Sequence, residues 1–264
     1  MDNRHRPRKR FGQNFLIDPH VVEKIIRSMN PQPGDNLVEI GPGQGVLTEK
    51  LLASGAELHA VEIDRDLAAL LRQRFAHLGH FTLIEQDVLK VDFDELCSAD
   101  RPARIIGNLP YNISTPLIFH LLDYLPGILD MLFMLQLEVV DRMSAGPGSK
   151  DYGRLSIMTQ YFCQVEKLFE VPPQAFAPAP KVTSAIVRLS PRPLASLPLK
   201  QSSRLENLVR QAFAQRRKTL RNNLQGILQD ADFIALAIDP ELRPENLSPD
   251  DYVRICLWLE GQQG

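Results

Sequence analysis

The sequence predicts an α/β protein in which a parallel sheet is covered by helices on both faces and is followed by a small all-helical domain. Short apolar segments alternate with amphipathic helical segments from residue 19 to residue 137, which is typical of a doubly wound sheet. A glycine-rich segment follows the first of these strands, at the place where such folds have their ligand crevice. From residue 202 onward, apolar residues recur at helical spacing alone.

The elements can be assigned in order along the chain. Asp18 followed by Pro19 indicates an N-cap and a first helical position, and this helix ends before Pro31. Five strands are predicted within NLVEIGPGQG, ELHAVEID, FTLIEQD, ARIIGNLPY and DMLFMLQLE, and three helices within VLTEKLLASG, RDLAALLRQRFAHLG and TPLIFHLLDYL. Beyond residue 160, VEKLFEV and SAIVRL favour an antiparallel strand pair at the sheet's edge.

A linker, RPLASLP, separates this pattern from the helical segment that follows. We therefore predict a Rossmann-like domain over residues 1–190 and a small helical domain over residues 191–264. The isolated residues Cys97, Cys163 and Cys256 indicate small hydrophobic side chains in a reduced, cytoplasmic setting rather than disulfides or a zinc site. No segment is apolar for long enough to span a bilayer, and no apolar stretch of the kind found in secretory signals follows the basic N-terminus.

Charge is concentrated in three segments, although the whole chain carries a net charge of only -2. Residues 1–10 contain five cationic residues and one acid, and residues 200–223 contain seven cationic residues and one acid. Residues 230–260 reverse the balance, with eight acids and two arginines. Two basic segments on a nearly neutral chain indicate a surface for a polyanion. A basic tail and a solvated helix face explain the same charges equally well.

The glycine-rich segment Gly41-Pro42-Gly43-Gln44-Gly45 lies between the first predicted strand and its helix. Glycines at that position let the backbone approach a ligand. The spacing is G-x-G-x-G, whereas a dinucleotide-binding turn has G-x-G-x-x-G and aims a helix N-terminus at a pyrophosphate. A tight strand-to-helix turn would by itself explain these glycines.

Three acids accompany the glycine loop near predicted strand ends: Glu39 in the first strand, Glu62 at the end of the second and Asp87 at the end of the third. A carboxylate at Glu62 can bind both hydroxyls of a ribose, and one at Asp87 can accept from an adenine amino group. The loops offer no lysine to a phosphate. This combination predicts an adenosine-containing ligand without a pyrophosphate, and it favours S-adenosylmethionine over NAD.

The segment Asn108-Leu109-Pro110-Tyr111 ends the fourth predicted strand and has the features of a site for an amine. The lone pair of the adenine amino group is delocalised into the ring, so methylation is helped by two acceptors that hold its hydrogens and aim the lone pair. The Asn108 side-chain oxygen and the Leu109 carbonyl can be these acceptors, because Pro110 biases Leu109 to an extended conformation. Tyr111 can stack on the base. A turn would explain the asparagine and the proline, but not the tyrosine.

These segments resemble the conserved blocks of the ribosomal RNA adenine N6-dimethyltransferases, in that family's order, from residue 8 to about residue 257. NLPY matches the [NDS]-[LIP]-P-[YF] motif of amino-group methyltransferases. The blocks are FGQNFL (11–16), EIGPGQGVLT (39–48), NLPYNIS (108–114), FAPAPKVTS (176–184) and FAQRRKTLRNNL (213–224). GSKDYGRLSIMTQY (148–161) and NLPYNIS look like the bacterial small-subunit (16S) branch, while the antibiotic-resistance methylases of large-subunit RNA have a looser form of these blocks.

The resemblance implies S-adenosylmethionine as the methyl donor, without a metal, and it assigns roles to particular residues. The donor-binding residues would be Asn14, Leu16, Gly41, Glu62, Asp87 and Asn108, the first two within a basic arm of residues 1–17. The catalytic residues would be Asn108, Leu109, Pro110, Tyr111 and Phe176. The RNA-binding residues would be Arg8, Lys9, Arg10, Arg216, Arg217, Lys218 and Arg221. Phe176 would form the second aromatic face of the base pocket; without the resemblance it would be interpreted as a core residue.

The resemblance further implies that two adjacent adenosines in the 3′-terminal hairpin loop of 16S rRNA each receive two methyl groups, with a role in small-subunit biogenesis. The expected partner is 16S rRNA within an immature small subunit, and the expected state is a cytoplasmic monomer without a membrane. Three alternatives remain: a methyltransferase of large-subunit RNA, a DNA adenine methyltransferase and a non-catalytic assembly factor. The sequence shows no separate target-recognition domain for DNA, and the intact donor residues argue against a non-catalytic factor.

Overall fold

The computed structural model describes residues 14–199 and 202–261. The predicted RNA-binding residues Arg8, Lys9 and Arg10 lie outside the described residues. The chain separates into two compact units. The first contains the chain up to residue 140 together with residues 166–190, and the second contains residues 141–165 together with the chain from residue 191 onward.

The described residues form nine β-strands and ten α-helices. The strands are β1 (Phe15–Leu16), β2 (Asn36–Ile40), β3 (Glu57–Glu62), β4 (Phe81–Glu85), β5 (Ala103–Asn108), β6 (Ile128–Gln136), β7 (Cys163–Val171), β8 (Phe176–Ala177) and β9 (Ser184–Pro191). The helices are α1 (Pro19–Met29), α2 (Val46–Ala53), α3 (Arg65–Phe75), α4 (Ser114–Leu122), α5 (Leu137–Ser144), α6 (Arg154–Phe162), α7 (Ser202–Ala212), α8 (Leu220–Asn223), α9 (Asp230–Ala235) and α10 (Pro249–Gly261).

Seven strands form one sheet in the order β4-β3-β2-β5-β6-β9-β7. The strands from β4 to β6 are parallel, and β9 runs antiparallel to β6. The predicted α/β, Rossmann-like fold is therefore confirmed, and the two late strands lie side by side at one edge as β9 and β7. The chain places β3 and β4 on one side of β2 and β5 on the other. This reversal next to β2 creates a crevice at the carboxyl ends of the strands.

Helix α1 shows how local sequence sets up the first unit. The Asp18 carboxylate accepts hydrogen bonds from the backbone N–H groups of His20 (2.8 Å) and Val21 (3.3 Å), as the predicted N-cap requires. The helix ends at Met29, and the capping residue Asn30 adopts a left-handed conformation with φ of 47°. Its buried face packs in the same core cluster as residues of β1 and β2, so the segment just before α1 is held next to the sheet.

The second unit is helical, and α6 packs against α7 and α10. Two fully buried tyrosines are satisfied by backbone carbonyls: Tyr152 donates to Leu247 (2.9 Å) and Tyr252 to Pro244 (2.8 Å). Residues 141–165, which the sequence analysis placed in the first domain, fall in this unit because α6 packs on helices much later in the chain.

Within the described residues, no helix has the length and apolar character needed to cross a membrane. In the same part of the chain, no group of three or more His, Cys, Asp or Glu residues is placed to hold a metal ion. The three cysteines are free and buried.

Candidate active site

A cavity of about 360 Å³ lies in the first unit, at the carboxyl ends of β2, β3, β4 and β5. Every residue that the sequence analysis named as catalytic or donor-binding lines it. These residues are Asn14, Leu16, Gly41, Glu62, Asp87, Asn108, Leu109, Pro110, Tyr111 and Phe176. The fold thus brings together segments that are up to 162 residues apart in the chain, from Asn14 to Phe176.

The glycine loop is held tightly between β2 and the rest of the cavity wall. Gly41, Gly43 and Gly45 all have positive φ, at 66°, 58° and 80°, a region that side chains other than glycine rarely adopt. A Cβ on Gly43 would lie 3.2 Å from the Phe15 ring. The glycines therefore serve both the turn and a close approach to the segment that precedes α1.

Glu62 ties this loop to the end of β3. Its Oε2 accepts from the Gly43 N–H (3.2 Å), and its Oε1 accepts from the Asp64 N–H (2.9 Å). Burial raises the pKa of the carboxyl, and these backbone hydrogen bonds oppose the rise. Each carboxylate oxygen has a second lone pair. Glu62 can therefore hold the loop and still accept from a ligand's hydroxyls.

Glu39 is the most deeply buried acid of the cavity wall, with 2% of its surface exposed. Thr48 donates a hydrogen bond of 2.6 Å to its Oε2. Burial, with a smaller contribution from the nearby Glu62, raises the pKa of Glu39 to about 7. The wall therefore contains a carboxyl that changes charge near neutral pH.

Gly107 positions the segment that carries the predicted acceptors, and the sequence analysis missed it. A Cβ at Gly107 would lie 2.7 Å from the backbone oxygen of Ile40, its partner in the neighbouring strand. Only glycine lets β5 approach β2 this closely. Asn108 is the next residue of β5, so this approach also sets its position. The signal was a glycine in a strand interior, which often marks the close approach of another backbone.

Asn108 and Leu109 present two acceptors at the cavity. The Asn108 Nδ2 donates to the backbone carbonyl of Asn14 (3.1 Å), and the Leu109 N–H donates to Met134 (3.2 Å). A carbonyl can only accept, so this contact fixes the carboxamide with its Oδ1 on the other side. Among the described residues, neither Asn108 Oδ1 nor the Leu109 carbonyl has a hydrogen-bond partner.

The rest of this loop is closed on itself. Ile113 donates its backbone N–H to the Pro110 carbonyl (3.1 Å), and the Ser114 hydroxyl donates to the Tyr111 carbonyl (3.2 Å). Tyr111 is partly exposed and lines the cavity. The ring is therefore carried by a short, internally bonded turn that leads into α4.

Phe176 belongs both to the hydrophobic core and to the cavity wall. It is 4% exposed and belongs to the core cluster that contains Leu16, yet it also lines the cavity. It lies in β8, which pairs antiparallel with β1 so that Phe176 faces Leu16 in the register. Its role as an aromatic face for a base stays a prediction.

Asp87 and two apolar residues complete the far end of the cavity. Asp87 Oδ1 accepts from the Leu89 N–H (3.1 Å). Ile63 and Val88 directly follow Glu62 and Asp87 and also line the cavity, and Ile63 is 48% exposed. The sequence analysis missed both, although an apolar residue directly after each strand-end acid was a usable signal.

The predicted RNA-binding residues of the second unit differ in their bonding. Arg216 donates to the carbonyls of Lys150 (2.5 Å) and Tyr152 (2.9 Å). Arg221 pairs with Glu241 and Asp230. Arg217 and Lys218 are exposed, and within the described part of the chain neither has an ion pair. Their contact with RNA stays a prediction.

Comparison with known proteins places the chain in a family. A model of the family described as ribosomal RNA adenine dimethylase matches residues 4–261. The chain is 57% identical over 252 residues to the ribosomal RNA small subunit methyltransferase A of Hahella chejuensis, covering 96% of this chain and 92% of that protein. It is 55% identical over 259 residues to the protein of the same name from Pseudomonas putida, with coverages of 98% and 97%.

Solved structures agree with this result. A dimethyladenosine transferase from Plasmodium falciparum aligns with a TM-score of 0.80 at 28% identity, covering 94% of this chain and 98% of that one. The 23S rRNA methyltransferase ErmE aligns with a TM-score of 0.68 at 25% identity, covering 94% and 100%. The chain therefore belongs to the ribosomal RNA adenine dimethylase family of S-adenosylmethionine-dependent methyltransferases.

Proposed function

We propose that this protein uses S-adenosylmethionine to place two methyl groups on N6 of each of two adjacent adenosines in the 3′-terminal hairpin loop of 16S rRNA. The observation that carries this proposal is the pair of acceptors, Asn108 Oδ1 and the Leu109 carbonyl, that have no partner among the described residues and belong to the cavity wall. The relatives named for the small subunit support 16S rRNA over other nucleic acids.

The cavity residues fit S-adenosylmethionine as the donor. The Glu62 oxygens can accept from ribose hydroxyls, Ile63 and Val88 offer apolar surface to an adenine ring, and Asp87 offers it a carboxylate. None of the described residues that line the cavity is a lysine or an arginine, which disfavours a ligand with a pyrophosphate. When bound, S-adenosylmethionine supplies an electrophilic methyl group on a positively charged sulfur.

Asn108 and Leu109 orient the target amine. Each can accept one of the two N6 hydrogens, which directs the nitrogen lone pair away from both acceptors and toward the donor. Positive charge develops on the nitrogen as the new bond forms, and the two fixed oxygens stabilise it. Neither residue has to act as a strong base.

The second methylation places different demands on the site. The first methyl group replaces one amino hydrogen, which leaves the positively charged nitrogen as a proton, so only one of the two acceptors stays engaged. Stacking on Tyr111, with Phe176 as the opposite face, then has to hold the monomethylated base. An adenosine can reach this position only out of its own stack, which costs least in a loop.

We propose that the second unit supplies phosphate contacts. Within the described residues, Arg217 and Lys218 have no ion pair to give up when they bind a phosphate, whereas Arg216 and Arg221 would first have to exchange partners. The proposed substrate is 16S rRNA within an immature small subunit, and the proposed protein is a cytoplasmic monomer. Free, buried cysteines support a reducing location.

The test supplies methyl-labelled S-adenosylmethionine together with immature small subunits, large-subunit RNA or duplex DNA. We expect label in N6,N6-dimethyladenosine near the 3′ end of 16S rRNA. Asn108→Ala should keep RNA binding and lose turnover by about 100-fold or more, as for the removal of one preorganised polar contact to the reacting group. Label only in large-subunit RNA or DNA, or turnover by Asn108→Ala near that of the unaltered protein, would refute the proposal.

A further inference from the structure

We infer that the backbone carbonyl of Asn14 is a positioning group for the reaction, because it sets which face of the Asn108 carboxamide meets the substrate. This inference rests on the proposed function and concerns how its first acceptor is oriented. The two residues are 94 positions apart, and the Asn108 Nδ2 lies 3.1 Å from the Asn14 oxygen. Asn14 is the positioning residue, while Asn108 is the residue that would touch the target amine.

The chemistry of a carboxamide explains why such a group is needed. Its oxygen and its NH₂ have almost the same shape, so rotation by 180° exchanges an acceptor for a donor without a change in packing. In the rotated form, Asn108 Oδ1 would face the Asn14 carbonyl, acceptor against acceptor. The NH₂ would then meet the substrate's own amino hydrogens, donor against donor. The Asn14 carbonyl selects the productive form from the side away from the substrate.

The segment that directly follows Asn14 is anchored at three residues. The strand in this segment, β1, pairs with β8, and the next residue, Ile17, donates its N–H to the Ala175 carbonyl (2.8 Å). Leu16 is 6% exposed within the core cluster. The Phe15 ring lies against Gly43 of the glycine loop. A carbonyl at the start of a segment anchored in this way can orient a neighbouring side chain, whereas one in a free segment could not.

The segment of residues 14–16 therefore contacts three parts of the cavity wall. It contacts the glycine loop through Phe15, the acceptor loop through the Asn14 carbonyl and the Phe176 segment through β8. Weakening the Asn14 carbonyl as an acceptor, with the side chains of Asn14 and Asn108 kept, should therefore lower turnover.

Replacing Phe15 by its α-hydroxy analogue, phenyllactic acid, tests this directly. The Asn14 carbonyl becomes an ester carbonyl, which is a weaker acceptor, and the Phe15 N–H is lost, while every side chain is kept. We expect kcat on immature small subunits to fall about fivefold, with the KM for S-adenosylmethionine changed by less than about twofold. The matched control is the same ester in an Asn108→Ala chain, where no further loss is expected because the hydrogen bond is already absent. An ester without effect, or one that costs as much in the Asn108→Ala chain, overturns the inference.

Asn108→Asp gives a second test that does not depend on the ester protein folding. An ionised carboxylate cannot donate to the Asn14 carbonyl, whereas a protonated carboxyl donates with one oxygen and leaves the other as the acceptor. The kcat of this variant should therefore rise as the pH falls from about 8 to about 6, relative to the unaltered protein. A variant whose kcat follows the unaltered protein's pH profile contradicts the positioning role.

The unaltered protein, assayed in the same experiments, separates the two claims. If it does not methylate small-subunit RNA, the proposed function fails. If it does, and neither the ester nor Asn108→Asp behaves as described, the function stands and only the role of the Asn14 carbonyl is refuted.

Discussion

The cavity of the first unit and the basic segment of residues 214–221 in the second both present polar groups, but the two regions satisfy them differently. In the cavity, Asn108 Oδ1 and the Leu109 carbonyl have no partner among the described residues, and Leu109 is 1% exposed. In the basic segment, Arg216 and Arg221 each contact two groups of their own chain. An unsatisfied group in a sheltered site costs free energy, whereas an exposed cation costs little. Unpaired acceptors therefore point to a ligand more strongly than positive charge does.

The largest effect on stability is expected at Glu39, because this acid of the cavity wall is almost fully buried. Burial raises the pKa of Glu39 from 4.5 to about 7, so folding favours the protonated carboxyl. Its contribution to stability is fully present below pH 4.5 and is lost as the pH rises through 7. Glu39→Gln removes this dependence and can still accept from Thr48. The free energy of unfolding of the variant, relative to the natural protein, should therefore increase by up to about 3 kcal/mol across that range.

Urea unfolding of both proteins at several pH values, without a methyl donor, measures this difference. Two stability curves that run parallel between pH 4.5 and pH 7 would show that Glu39 is ionised in the folded cavity.

Gly107→Ala tests whether strands β5 and β2 of the cavity wall leave room for a Cβ atom. The added Cβ would lie 2.7 Å from the Ile40 backbone oxygen, so β5 or β2 must shift, at a cost of about 2 kcal/mol. Gly146→Ala is the matched control, because a Cβ there has no atom within 4 Å and the residue has no positive φ. Thermal unfolding should separate the two variants clearly. Equal midpoints would mean that the strands adjust freely and that Gly107 does not position Asn108.

Tyr111 tests the cavity as a site for a base rather than for a small amine. Tyr111→Ala should lower kcat/KM for RNA about tenfold, because one stacking contact is lost, while Tyr111→Phe should stay close to the natural protein. The ratio of the two variants isolates the ring from the hydroxyl. Equal losses in both would remove the argument for stacking.

Much of the cavity could be predicted from the sequence because its geometry follows from topology. Glu62 ends β3, Asp87 lies two residues beyond the end of β4, and the carboxyl ends of parallel strands meet at one edge. Once the strands were assigned, the acids, the glycine loop and Asn108 had to converge there. No side-chain packing had to be known.

The features that could not be predicted depend on contacts with backbone atoms that are distant in the sequence. The need for Gly107 arises from its register against Ile40. The orientation of Asn108 depends on the main-chain oxygen of Asn14, for which residue type gives no signal. Arg216 looked like its neighbours in the sequence, but its partners are carbonyls 64 and 66 residues away. Charge patterns reveal where cations are, not what they already bind.

The smallest effects are expected in the basic segment, where RNA binding is measured. They test whether the cations that have no ion pair among the described residues are the ones that contact RNA. Arg217→Gln or Lys218→Gln should each weaken RNA binding about fivefold and reduce the salt slope of log K by about one, since each would remove one phosphate contact. Neither should change the thermal midpoint, because neither side chain has an ion pair among the described residues. Arg216→Gln is the matched control: it should lower the midpoint, since the Lys150 and Tyr152 carbonyls lose their donor. The opposite outcome is that Arg216→Gln weakens RNA binding while Arg217→Gln and Lys218→Gln do not. In that case the hydrogen bonds and ion pairs within the chain do not indicate which cations contact RNA, and the contrast between the two regions is wrong.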